Sequence, residues 1–120
     1  MKVAPRKAGA PVWTRRGLLG LQGLSAAELR VILDKTRELE PLANQTDTRT
    51  GHLTGKTIAT LFFEDSTRTK TSFTLAARRL SADVIDLPIG TSSINKGETL
   101  IDTARTVEAM GVSAMVVRAK

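Results

Sequence analysis

The sequence predicts an α/β domain, a parallel sheet flanked by helices, and three observations carry that expectation. Apolar β-favouring runs alternate with amphipathic helical stretches in the order helix, strand, helix, strand, helix, strand. The first of these runs, residues 57–63, shows no clean alternation, as expected of a strand covered on both faces. Connections made from helices favour parallel pairing with right-handed crossovers.

Each element has its own signal. Residues 1–16, with Pro5, Gly9 and Pro11, read as a flexible basic arm. The first helix starts at Ser25, which has the capping-box spacing to Glu28. Its apolar face is Leu29, Ile32, Leu33 and Leu39, and Pro41 marks its end. A polar, turn-rich stretch covers residues 44–54. The second helix, residues 67–80, places Phe73, Ala76, Ala77 and Leu80 on one stripe, and Phe62, Phe63 and Phe73 read as core. A short strand at 84–87 leads into a loop at 88–96. The third helix, 98–110, buries Leu100, Thr103, Ala104 and Val107, and Gly111 suits its C-terminal cap. Residues 112–117 form the last strand. Nothing after Arg118 covers the sheet, so on packing grounds the expectation is a domain cut short, with residues 17–120 as its incomplete body.

Charge narrows the function. The net charge of +6 concentrates in residues 1–16, where Lys2, Arg6, Lys7, Arg15 and Arg16 meet no acid. From Gly17 onward the remaining 13 basic and 12 acidic residues nearly cancel. A nucleic-acid surface needs a basic face with aromatics for stacking, and the body offers neither. With no cysteine and a single histidine, His52, the chain lacks disulfides, thiolate chemistry and a histidine–cysteine metal set. Arg15-Arg16 followed by an apolar stretch looks superficially like an export signal. That stretch is broken by Gln22 and runs into a helix start, so the expectation is a cytoplasmic chain without a membrane span.

In open parallel sheets, ligands bind beyond the carboxyl ends of the strands. Three segments lie there: residues 64–70, 88–96 and 118 onward. The first, Ser66-Thr67-Arg68-Thr69-Lys70, joins a buried strand to a helix N-terminus. Backbone N–H groups there lack intrahelical partners, and the helix dipole favours an anion. Three hydroxyls add donors, and Arg68 can grip two phosphate oxygens. Each charge-assisted bond contributes about 1.5–3 kcal/mol. The competing reading takes Ser and Thr as ordinary helix caps and both cations as solvated. A different segment, Gly51-His52-Leu53-Thr54-Gly55-Lys56-Thr57, imitates a nucleotide-binding P-loop but has three residues between its glycines, not four, and precedes a strand. His52 therefore reads as a loop histidine and Lys56 as the lead into the strand.

Phe62-Phe63-Glu64-Asp65-Ser66-Thr67-Arg68-Thr69-Lys70-Thr71-Ser72-Phe73 resembles the signature Phe-x-Glu-x-Ser-Thr-Arg-Thr-Arg-x-Ser-Phe of the aspartate carbamoyltransferases. Thr91-Ser92-Ser93-Ile94-Asn95-Lys96-Gly97-Glu98-Thr99 is similar to that family's mobile loop, and Asp102-Thr103-Ala104 continues it. Val116-Val117-Arg118 is similar to its strand-end arginine. The likeness runs from about Leu18 to Arg118. Ornithine carbamoyltransferases share the first motif but usually carry a Gly-Arg-Gly-Glu type second loop, so Lys96 favours aspartate as the acceptor.

The resemblance implies an α/β carbamoyl-phosphate-binding domain. The implied reaction is attack of the L-aspartate amine on carbamoyl phosphate, giving N-carbamoyl-L-aspartate and phosphate in pyrimidine biosynthesis, with no cofactor and no metal. It also implies that Ser66, Thr67, Arg68 and Thr69 bind phosphate, and that Thr69 and Arg118 polarise the carbonyl oxygen. Ser92 and Lys96 would reach the site from a neighbouring subunit of a homotrimer, where Glu98 would pair with Arg68. Regulatory or dihydroorotase-like chains are possible further partners. Three departures stand out: Lys70 in place of an arginine, Ala119 where a histidine is common, and the absence of the family's later aspartate-binding region. The expectation is that the 120-residue chain alone lacks significant transferase activity. An ornithine-type enzyme and a non-catalytic phosphate-binding relative remain the alternatives.

Overall fold

A computed structural model of the chain describes residues 13–45, 49–64, 66–87 and 100–119. The elements are α1 (Ala26–Ala43), β1 (Thr57–Phe62), α2 (Thr67–Arg79), β2 (Asp83–Leu87), α3 (Leu100–Ala109) and β3 (Ala114–Arg118). They follow the expected order. The predicted loop at 88–96 and the first residues of the third helix lie outside the described residues. The chain divides into two compact units, residues 1–46 and 47–120.

In the first unit, α1 starts where the capping box predicts. Glu28 N–H donates to Ser25 Oγ at 3.1 Å, and Ser25 N–H donates to Glu28 Oε1 at 3.0 Å. Arg15 completes the arrangement by donating to both Glu28 oxygens and, at 3.1 Å, to the Gly23 carbonyl. This guanidinium, and then the Ser25 amide, hold the Glu28 carboxyl at about 2, well below its ordinary value. The expected end at Pro41 is corrected: the helix runs two residues further, to Ala43, with the proline inside it. So late in a helix the ring forfeits one hydrogen bond, and its fixed φ still suits helical backbone. The apolar face is also only partly realised. Leu29, Ile32 and Leu39 are half-buried, and Leu33 is exposed.

The second unit is a three-stranded parallel sheet in the order β2-β1-β3. Central β1 is buried from Ala59 to Phe62, which accounts for its unbroken apolar run. Alternate side chains face opposite sides of a strand. Ala59 and Leu61 cluster with Val107 of α3, joined by half-buried Phe63, Leu87, Val112 and Met115. Thr60 faces the other way, and α2 packs over β1 and β2. Right-handed crossovers require this division of the helices. The path from β1 to β2 and the path from β2 back past β1 to β3 run in opposite directions across the sheet.

The predicted stripe on α2 is corrected by about one residue. Ala77 is buried and Leu80 half-buried as expected, but Phe73 is 45% exposed and Ala76 is exposed. The inward line is Lys70, Thr74 and Ala77. Lys70, on that inward line, pairs with Asp86 of β2 at 3.2 Å, a contact that apolar periodicity does not register. In α3, Thr103, Ala104 and Val107 face inward as expected, whereas Leu100 is exposed. Gly111 follows α3 with φ +90°, the left-handed cap for which glycine is suited. After α2 the equivalent conformation falls to Ser81 at φ +67°. Its Oγ accepts from Gly51 N–H at 3.1 Å, and Thr50 and Leu53 N–H donate to Arg79 and Leu80 carbonyls at 2.9 and 2.7 Å. The P-loop imitation is thus a turn seated on the C-terminus of α2, with His52 exposed within it and Lys56 leading into β1.

Candidate functional site at the sheet's carboxyl edge

Strand order reverses at β1, since β2 lies on one side of it and β3 on the other. Such a reversal opens a crevice at the carboxyl ends of the two diverging strands, here β1 and β3. Phe62 and Arg118 are register partners, and Phe63 N–H donates to Arg118 O at 2.8 Å, so the two strand ends leave the sheet side by side. Arg118 therefore projects from the strand next to the one that delivers residues 64–69.

Its guanidinium gathers that turn. Nε donates to Glu64 Oε1 at 2.6 Å, and Nη1 donates to Ser66 Oγ at 2.7 Å and Thr69 Oγ1 at 3.2 Å. The pair is partly open, with the Arg118 side chain 44% exposed and that of Glu64 26%. Ser66 occupies the N-cap of α2, yet its side chain makes no capping hydrogen bond. The ordinary-cap reading of Ser66 fails on that point. The first intrahelical bond runs from Lys70 N–H to Ser66 O at 3.0 Å. Among the described residues, the N–H groups of Thr67, Arg68 and Thr69 have no acceptor. A cationic fork, two hydroxyls and a row of open amides thus converge on the positive end of a helix dipole, an arrangement suited to an oxyanion.

The structure joins Ser66, Thr69 and Arg118 directly. Thr67 and Arg68 lie exposed on the same first turn, and Arg68 has no hydrogen-bond or ion-pair partner among the described residues. Ser92, Lys96 and Glu98 fall outside the described residues. Sequence reasoning quoted Glu64 in a motif but gave it no task, because its partner Arg118 becomes a neighbour only through the pairing of β1 with β3. It also missed Asp86, whose position inside a strand runs against β-propensity. Asp86 accepts from Thr60 Oγ1 at 3.0 Å and pairs with Lys70 Nζ at 3.2 Å. No helix among the described residues is long and apolar enough to cross a membrane.

Comparison with known proteins agrees with this geometry. The family described as aspartate/ornithine carbamoyltransferase, carbamoyl-P binding domain, matches residues 16–120. The aspartate carbamoyltransferase catalytic subunit of Carboxydothermus hydrogenoformans is 51% identical over 104 residues, covering 87% of this chain and 33% of that protein. Among solved structures, the catalytic subunit of M. jannaschii aspartate transcarbamoylase superimposes with a TM-score of 0.74 at 36% identity, over 87% of this chain and 34% of that one. Aspartate transcarbamoylase from Trypanosoma cruzi, in complex with carbamoyl phosphate and aspartate, gives 0.66 at 35% identity, over 79% and 29%. The chain spans about a third of the length of the curated relatives it matches. It belongs to the aspartate/ornithine carbamoyltransferase family, of which it carries the carbamoyl-phosphate-binding part.

Proposed function

We propose that this chain forms the phosphate-binding half of an aspartate carbamoyltransferase active site. The whole enzyme transfers the carbamoyl group of carbamoyl phosphate to the amine of L-aspartate, a step of pyrimidine biosynthesis in the cytoplasm. One observation carries the reading: Arg118 is held against Ser66 and Thr69 beside amides that no described side chain caps. The names of the relatives and the ligands of the T. cruzi complex support the choice of substrates.

The residues then divide the work. Ser66, Thr67, Arg68 and the open amides hold the phosphate. Glu64 accepts from Nε of Arg118, while Nη1 meets the hydroxyls of the turn. When an anion enters, Ser66 and Thr69 rotate their hydroxyls from accepting toward donating, and Nη1 turns from them to the ligand. Arg118 and Thr69 also polarise the carbonyl oxygen. Negative charge grows there during attack, and one such donor is worth about 3–4 kcal/mol of barrier. The phosphate leaves with the electrons of the broken C–O bond and is stabilised by the same donors.

Ser92 and Lys96 act from a neighbouring subunit of a homotrimer, with Lys96 touching phosphate and the aspartate carboxylate. Residues 17–120 form the carbamoyl-phosphate-binding domain, and Arg15, from the basic segment before it, braces the first turn of α1. Calorimetric titration of the chain with carbamoyl phosphate tests the proposal. Saturable binding that Arg118→Ala weakens about 100-fold is expected, and equal heats from both proteins would overturn it.

A further inference from the structure

We infer that Lys70 is a positioning residue for the anion-binding turn, acting through Asp86 and the buried Thr60 hydroxyl rather than by touching phosphate. This rests on the reading of that turn as a phosphate site.

Lys70 is poorly placed on local grounds. It lies at the N-terminal end of α2, where the dipole disfavours a cation, and the first turn of that helix contains no acid. Its compensation comes from across the sheet. Thr60 and Asp86 are register partners on adjacent parallel strands. Thr60 is only 1% exposed, so its hydroxyl must find a partner within the protein, and it donates to Asp86 Oδ1 at 3.0 Å. That bond orients the carboxylate, and its second oxygen meets Lys70 Nζ at 3.2 Å.

Lys70 is also the residue whose amide closes the first ring of the helix on the Ser66 carbonyl. Thr60, Asp86, Lys70 and Ser66 therefore form one chain of polar contacts from the middle of the sheet to the N-cap. Arg118 reaches the same turn from β3, on the other flank. The turn is held from both sides. An arginine is usual at this position in the family signature, and the lysine here faces inward to a carboxylate.

The sign of one substitution separates this role from simple electrostatics. Asp86→Asn removes a negative charge near the turn while keeping an acceptor for Thr60. Field effects alone would make phosphate bind more tightly to that variant and more weakly to Lys70→Met. The clamp predicts weaker binding in both.

The experiment uses the 120-residue chain, as wild type, Lys70→Met, Asp86→Asn, the double variant and Lys70→Arg. Amide hydrogen exchange at Lys70 and Thr71 is read without ligand, and inorganic phosphate affinity is read by NMR titration. For a partly exposed pair, exchange about two- to fivefold faster is expected in either single variant, with phosphate weakened by a similar factor. The double variant should lose no more than either single one, and Lys70→Arg should restore both readouts.

Unchanged exchange in both single variants overturns the inference. So does phosphate binding that weakens in Lys70→Met but holds or strengthens in Asp86→Asn. If wild type takes up no phosphate, the proposed function fails, while the exchange readouts still decide whether the clamp exists.

Discussion

Replacing Arg118 by alanine removes three hydrogen bonds at once, at 2.6 Å to Glu64, 2.7 Å to Ser66 and 3.2 Å to Thr69. The consequence for anion binding follows from the fork that is lost. In the proposed complex the two terminal nitrogens turn to phosphate oxygens, making two charge-assisted bonds. Because the side chain is 44% exposed, the lower end of the range for such bonds applies, about 1.5 kcal/mol each. The sum, about 3 kcal/mol, corresponds to about a 100-fold weaker Kd.

Alanine also leaves the Glu64 carboxylate unpaired beside the incoming anion, which deepens the loss. The double variant Arg118→Ala/Glu64→Gln should therefore bind better than Arg118→Ala alone, though still far below wild type. Calorimetry with inorganic phosphate at fixed ionic strength reads these differences, since salt screens exposed charges. A loss of less than threefold in Arg118→Ala would refute the reasoning, because the guanidinium would then belong to the fold and not to the site.

Further predictions concern stability, pH and turnover. At Ser81 the left-handed backbone costs a residue with a Cβ about 1–2 kcal/mol, partly offset by its bond to Gly51. Ser81→Gly should then shift the urea midpoint little, whereas Ser81→Ala loses the bond without relieving strain and should cost about 1 kcal/mol. Glu28 has a folded-state value of about 2 against 4.5 for the free group, so its bonds to Arg15 and Ser25 favour the folded form fully above pH 4.5 and are lost as pH falls through 2. The N-terminal turn of α1 should loosen across that window in NMR spectra, and Glu28→Gln should already show the loosened form at pH 7. A radiolabelled carbamoyl-transfer assay on the 120-residue chain should give no significant turnover.

Much of the fold was legible because its signals are local. The Ser25–Glu28 spacing, the unbroken apolar run of β1 and Gly111 after α3 each state their structure within a few residues. The failures share a cause. Phe73 looked inward because apolar periodicity assigns every large apolar residue to a core, yet α2 turns Lys70 and Ala77 toward the sheet, and Lys70 meets Asp86, 16 positions along the chain. Pro41 ended the helix on paper because proline breaks helices generally, whereas in the last turn it removes little.

At the candidate site, strand ends and hydroxyl-rich sequence pointed to the turn holding Ser66 and Thr69 and to Arg118, whose expected roles came from the family resemblance. Their direct contact was not legible, because it depends on the parallel register that sets Phe62 opposite Arg118. Glu64 was hidden for the same reason. Its partner lies 54 residues away and becomes a neighbour only when β3 adds to β1.

The central claim concerns the entrance to α2, and backbone NMR of the isotopically labelled chain during titration with inorganic phosphate tests it most directly. Saturable shifts centred on the Thr67, Arg68 and Thr69 amides, together with the Arg118 Nε resonance, are the predicted result. Shifts spread over the basic residues before Gly17, with that turn and Arg118 unmoved, would contradict it.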